Sequence, residues 1–265
     1  MIFQPVIPSG GVVGWRFLQR TYDAQFQTFS SSNVNERETK YFLENISKVQ
    51  TAEELVSDRR LLQVALGAFG LEGDLDNRFF IQKILEDGTN AQDALSNRLS
   101  DKRYRAFSDA FGFGPGEVRK TALVTNMERI AEDNLVAQFE VSVGESDASM
   151  RISLYAQHSL TDLAQGNSSV DTKWFDLMGL PPLRSMMETA LGLPSSFAQL
   201  DIDTQLAEFK DRLFQLTGSD DLAQFADQEA VGRLTDTYLA RSQIAQLQNT
   251  ISPAQTALVL LGAVS

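Results

Sequence analysis

The chain contains no cysteine and a single histidine, His158, among its 265 residues. The first absence excludes disulfides, thiolate metal sites and a cysteine nucleophile. The second leaves no two-histidine metal site and, without thiolates, no strong zinc option. Positive charge is also short. Against 35 acidic residues stand 23 lysines and arginines, for a net charge of −12. Such a surface repels nucleic-acid backbones and anionic lipid on average, so neither is expected as a partner. The longest basic clusters, "DRR" and "DKRYR", each carry their own Asp. Long apolar runs are missing too. A membrane helix needs roughly 18 such residues, and no membrane insertion is expected from "TALVLLGAV" near the C-terminus, which has nine. The N-terminal "MIFQPVIPSGGVVGW" lacks the basic region and apolar core of a secretion signal. The expected location is the cytoplasm, and export by a route that cleaves no signal is also compatible with this start.

What is present suits a globular fold. Hydrophobic residues are 43%, charged residues 22%, and 17 phenylalanines promise a bulky core. The length fits one large domain or two ordinary ones.

Helical spacing dominates the chain. Residues 1–14 hold two Pro and three Gly and read as a flexible segment. From Trp15, the residues Leu18, Tyr22, Gln25 and Phe29 step by 3, 4, 3 and 4, one helix face with a polar interruption. "TAEE" at Thr51 is a capping box that opens a helix predicted to run to Gly70, a residue suited to a left-handed stop. Gly67 lies inside it, which implies close packing against another helix. "NAQDALSNRLSDKRYRAFSDAFGFG" reads as helix, split near Ser100, and "GFGPG" as the best internal boundary. A long helix is expected from Glu117. Residues 135–157 fit either a small β-hairpin or a pair of helices, the surroundings favouring helices. "GNSSVDTKWFDLMGLPP" reads as a linker. In a last long helix Ala240, Ile244, Leu247 and Ile251 step by 4, 3 and 4. Ser252, Pro253 and Gly262 frame a short C-terminal helix.

Two stretches resemble each other. "LLQVALGAFGL" at 61–71 and "LRSMMETALGL" at 183–193 agree at Leu61/Leu183, Ala68/Ala190, Gly70/Gly192 and Leu71/Leu193. Each is followed by an acidic turn, a helix, a Gly-containing turn, an Asp start and an "SDKRY" or "TDTY" word. The expectation is an all-α multi-helix bundle of two diverged repeats. Its parts would be 1–14, a first unit at 15–116, a second at 117–252 and a tail at 253–265.

The search for chemistry yields little. "GFGPGEVRKT" resembles a phosphate loop, but Arg119 stands where the Gly before Lys-Thr is needed. Asp74/Asp76 and Asp201/Asp203 begin like calcium loops, but the fifth position holds Arg78 or Gln205, and capping of the next helix is the simpler role. His158 reads as a partly buried polar tip beside Tyr155. No catalytic, cofactor-binding or metal-binding residue is nominated. The aromatic face of the first helix fits a helix docked on its own core or a partner-binding helix; on the second reading the candidate partner-binding residues are Trp15, Leu18, Tyr22, Phe26 and Phe29 there, and Ile244, Leu247 and Ile251 on the last helix.

"GWRFLQRTYDAQFQTF", "RETKYFLENI", "TAEELVSDRRLLQVALGAFGLEGDLDNRFFIQKILE" and "LSNRLSDKRYRAFSDAFGF" together resemble a bacterial family of unknown function whose genes often lie within flagellar gene clusters. The resemblance covers roughly residues 14–113 well and the rest loosely. It implies a helical protein, sometimes with further copies of the unit, and a flagellum-linked role. The expected activity is non-enzymatic: a structural or assembly protein whose partner is another flagellar or assembly protein. The alternative is a cytoplasmic chaperone or regulator of export or assembly, and an acid–base enzyme is the third class.

Overall fold

The computed structural model describes residues 3–250, and it is all-α: thirteen α-helices and no strand among those residues. The helices are α1 (Gly11–Ser30), α2 (Asn33–Asn45), α3 (Ala52–Ser57), α4 (Arg59–Gly67), α5 (Arg78–Asp87), α6 (Leu95–Arg98), α7 (Arg103–Phe111), α8 (Val124–Gly144), α9 (Ala148–Gln165), α10 (Val170–Met178), α11 (Pro181–Leu191), α12 (Ile202–Thr217) and α13 (Gln228–Thr250). Ile251 and the framing residues Ser252, Pro253 and Gly262 lie outside the described residues.

Contacts divide the described chain into two compact units, one of residues 3–6, 19–146 and 175–181, the other of 7–18, 147–174 and 182–250. Gly116, where the sequence suggested a boundary, falls inside the first unit. The word at 61–71 belongs to the first unit and the word at 183–193 to the second. The element order after each word recurs: a 3₁₀ turn, a helix, a short helical turn and a further helix.

In the first unit α4 is the central element, packed by α2 and α8. Its start differs from the single helix expected after Thr51. Thr51 does cap α3, its hydroxyl accepting from the Glu54 amide at 3.1 Å, and Glu54 accepts in turn from the Gln50 amide at 2.6 Å. The chain then breaks at Asp58, whose carboxylate accepts from the amides of Arg60 (3.0 Å) and Leu61 (3.1 Å) to cap α4. The other carboxylate oxygen accepts from the Tyr41 hydroxyl at 2.6 Å. Arg60 stacks 3.6 Å above the Tyr41 ring and pairs with Glu38 at 2.8 Å. Leu61, Leu62, Val64, Ala65 and Leu66 are all buried.

Gly67 behaves as its position suggested. A methyl group there would lie 2.1 Å from Asn134 Oδ1 on α8, so that buried side chain would have to move.

Residues 135–157 form the end of α8 and the start of α9, not a hairpin. Ile130, Phe139 and Val143 are buried at helical spacing. Asp147 caps α9 by accepting from the amides of Ser149 (2.9 Å) and Met150 (3.3 Å), which makes "GESDAS" a link between helices.

Three further expectations are corrected. α1 begins at Gly11, so residues 11–14 are helical. The helix expected from Glu117 starts only at Val124, because the preceding residues are held elsewhere: Thr121 and Arg119 donate to the Val49 carbonyl at 2.8 and 3.2 Å. The stretch read as a linker contains α10, with Trp174 buried and its Nε1 donating to the Asp220 carbonyl at 2.9 Å. In the second unit Trp174 stacks on Phe209, which also meets Phe197 edge-on. α9 packs there with α13 and the 3₁₀ turn Leu222–Ala226.

Candidate functional site

The "GFGPGE" loop does hold an anion, and that anion is its own. Glu117 accepts from the Thr89 amide (2.5 Å), the Thr89 hydroxyl (2.8 Å) and the Gly114 amide (3.1 Å). Gly114 and Gly88 pass so closely that a methyl on either would overlap the other's Cα. The loop is a clasp, and Lys120 is engaged with Asp109 at 3.1 Å.

The paired aspartates separate in role. Asp201 caps α12, accepting from the Thr204 amide and hydroxyl at 2.9 and 2.6 Å. Asp74 and Asp76 do not cap α5. Asp74 accepts from the Tyr104 hydroxyl at 2.6 Å and from Asn77 Nδ2 at 2.8 Å, while Asp76 pairs with Arg59 at 2.6 Å. Burial and the Asp74 carboxylate raise the Tyr104 phenol from its ordinary value near 10 to about 12. No group of three or more acidic or histidine side chains is placed to hold a metal among the described residues. His158 is exposed rather than partly buried, its ring 5.3 Å edge-on from Tyr155.

The candidate partner-binding residues of α1 are mostly interior. Trp15 is 1% exposed and Leu18 and Phe29 are buried. Trp15 and Leu18 belong to the second unit, and Tyr22, Phe26 and Phe29 to the first. Tyr22, Phe26 and Phe29 gather around buried Phe139 at ring distances of 5.3, 5.7 and 5.6 Å, with Phe3 at 6.2 Å. Edge-to-face rings at these spacings are a packing motif. Burial, then Glu140 and Asp23, raises the Tyr22 phenol to about 12. This aromatic face is core, and no partner can reach Trp15 or Leu18 while α1 keeps its place.

The α13 residues are placed differently. Val231, Leu234, Thr235, Tyr238 and Leu239 are buried, but from Ala240 to Gln248 nothing is. Ile244 is 55% and Leu247 59% exposed. At about 100° per residue, Ala240, Ile244 and Leu247 lie roughly half a turn around the helix from the buried set. The apolar stripe therefore changes sides midway along α13. The unit's own core takes the first stripe and leaves the second outward. Gln243 sits against Gly11, and Arg16 pairs with Asp236 at 2.9 Å, which fixes the start of α1 beside α13.

One further feature was not signalled by periodicity. A cleft of about 240 Å³ in the first unit is lined by Phe29, Gln63, Gly67, Glu72, Asn134 and one face of α8 from Ala137 to Glu145. Gly67 and Asn134 line it where α4 meets α8. Buried Asn134 accepts from Gln138 Nε2 at 3.2 Å beside it.

A family described as "protein of unknown function (DUF1217)" matches residues 68–231. The chain belongs to the DUF1217 family. The family segment includes the α8 wall of the cleft and the buried start of α13; Ile244 and Leu247 lie beyond it. The chain is also similar to the crystal structure of a protein from Agrobacterium tumefaciens solved as a structural genomics target. The two share 20% identity over 91% of this chain and 99% of that one, with a TM-score of 0.71. At that identity the likeness is one of fold. No curated protein matches.

Proposed function

We propose that this DUF1217 protein acts by binding another protein, as a non-enzymatic structural or assembly component associated with the bacterial flagellum. The observation that carries the reading is the outward stripe of α13, where Ile244 and Leu247 stand 55% and 59% exposed past the end of the buried face. Apolar residues aligned on one exposed helix face are a common way to dock a partner. The flagellar setting rests on the resemblance of residues 14–113. It carries a location with it, either the cytoplasm or the flagellum after export without a cleaved signal.

The second reading is a cytoplasmic chaperone or regulator, favoured by the cleft between α4 and α8. Affinity purification from the native cell, followed by fractionation, separates them. A partner retained by the native chain, lost with Ile244→Glu/Leu247→Glu and found in purified basal bodies supports the first. A cytosolic partner that withstands the α13 change but not Ala137→Glu supports the second. A native chain that captures no protein overturns both.

A further inference from the structure

Residues 3–6 belong to the first unit, although no helix or strand includes them. Their side chains alternate: Phe3 and Pro5 are half-buried, Gln4 and Val6 exposed. That is the pattern of a chain laid extended along a surface. Pro5 and Pro8 favour it, since a proline pushes the residue before it into extended backbone.

The segment is held at two points. The Val6 amide donates to Gln25 Oε1 at 2.7 Å, and the Val6 carbonyl accepts from Gln25 Nε2 at 3.2 Å. One buried carboxamide thus pairs with both backbone groups of a single residue, as a neighbouring strand would. Thr21 Oγ1 accepts from the same Nε2 at 2.8 Å and fixes the carboxamide's orientation. Three residues back, the Phe3 ring lies 5.7 Å from Phe29 and 6.2 Å from Phe139. Backbone pairing supplies affinity for any residue, and a side-chain seat supplies selection, which is how extended peptides are recognised. The seat is Gln25 and Phe29 of α1 with Phe139 of α8, and residues 3–6 are what covers it.

The segment joins α1 through Ser9, Gly10 and Gly11, the last at a φ of 65°. Exchange of an identical element about such a hinge is a low-cost route to dimers. The same residues of another copy present the same groups to the seat. The chain's own segment is ahead only through its tether, which gives it an effective concentration on the order of millimolar.

We infer that residues 3–6 are an exchangeable strap, and that the seat they fill in their own chain takes the same residues of a second copy. The inference does not depend on the stripe of α13.

Two measurements on the full chain test it, with circular dichroism to verify folding. Phe3→Ala/Val6→Pro removes the ring and the amide that hold the strap, and so empties the seat. In fluorescence anisotropy this variant should bind a labelled peptide of residues 1–8, and the native chain should bind it at least about tenfold more weakly because its own strap competes. Peptides carrying Phe3→Ala or Val6→Pro should lose most of the binding. Gln25→Leu keeps the strap and spoils the seat. By sedimentation velocity, Gln25→Leu and Phe3→Ala/Val6→Pro should each be monomeric alone and form dimers when mixed, since one supplies a strap and the other a seat. A mixture that stays monomeric overturns the inference. If Gln25→Leu fails to fold, the peptides decide: no binding to the emptied seat, or equal binding of the Val6→Pro peptide, overturns it. Neither result bears on capture of another protein through Ile244 and Leu247.

Discussion

Helices α4 and α11 end in the same way and are buried in different ways. In α4 the Gly70 amide donates to the Gly67 carbonyl (3.0 Å) and the Leu71 amide reaches back to Leu66 (3.0 Å). In α11 Gly192 donates to Thr189 (3.1 Å) and Leu193 to Glu188 (2.9 Å). Both glycines are left-handed, at φ of 64° and 69°. This is one helix stop built twice. Upstream the two part. Leu62 and Leu66 are fully buried, whereas their counterparts Arg184 and Glu188 form an ion pair at 2.8 Å on a half-exposed side. A cap is decided within six residues. How many sides of a helix are covered is decided by what packs on it.

The largest expected difference lies at these positions. Leu62→Ala or Leu66→Ala should cost about 2–5 kcal/mol, while Arg184→Ala should cost less, about 1–3 kcal/mol, by leaving the buried Gln205 carboxamide without the donor it has at 2.7 Å. Urea denaturation measures both, and equal losses would mean α11 is as deeply embedded as α4. Trp15→Ala belongs with the large effects, about 3–5 kcal/mol, because that side chain is core.

Gly67→Ala comes next. Its methyl would meet Asn134 Oδ1, and overpacking of this kind costs about 1–3 kcal/mol. Thr189→Ala, at the matching position of α11, should be near neutral in the same measurement.

Gly70→Ala should cost about 1–2 kcal/mol, the penalty of a left-handed conformation, and Gly192→Ala at least as much, since its methyl would also displace the Arg241 guanidinium, 2.2 Å away. A much larger loss at one would show that its surroundings, and not the turn, govern the position.

The smallest effect is alkaline. Tyr22 and Tyr104 both have phenols raised from 10 to about 12. The folded state therefore favours the protonated phenol. Its contribution is intact below pH 10 and is lost as pH rises through 10 to about 12. Melting temperature measured across that window should fall less steeply in Tyr22→Phe and Tyr104→Phe than in the native chain.

Features that depend on near neighbours in the chain were legible. Thr51 as a cap, Asp201 as a cap and the glycine stops all act over a few residues. Gly67 was legible for another reason: a glycine inside a strong helix pattern needs an external explanation, and close helix packing is the usual one. Asp74 misled because its partner, Tyr104, is 30 residues away; nothing local distinguishes a capping Asp from one that holds a tyrosine. α10 was obscured by the Gly and Pro that follow it. The face of Trp15, Leu18 and Phe29 was equally ambiguous, since an aromatic stripe looks the same whether it meets its own core or a partner.

The sequence alone determined the helical class, the absence of thiol chemistry, the acidic surface and where several helices start and stop. Each follows from composition or from hydrogen bonds closed within a turn or two. The tertiary structure alone decided which stripes are inside. It buried the aromatic face of α1, wrapped α4, left α11 half open, formed a cleft along the α4–α8 seam and turned Ile244 and Leu247 of α13 outward. Burial depends on which distant segments pack against a helix, and helical spacing gives the width of an apolar stripe without naming what covers it.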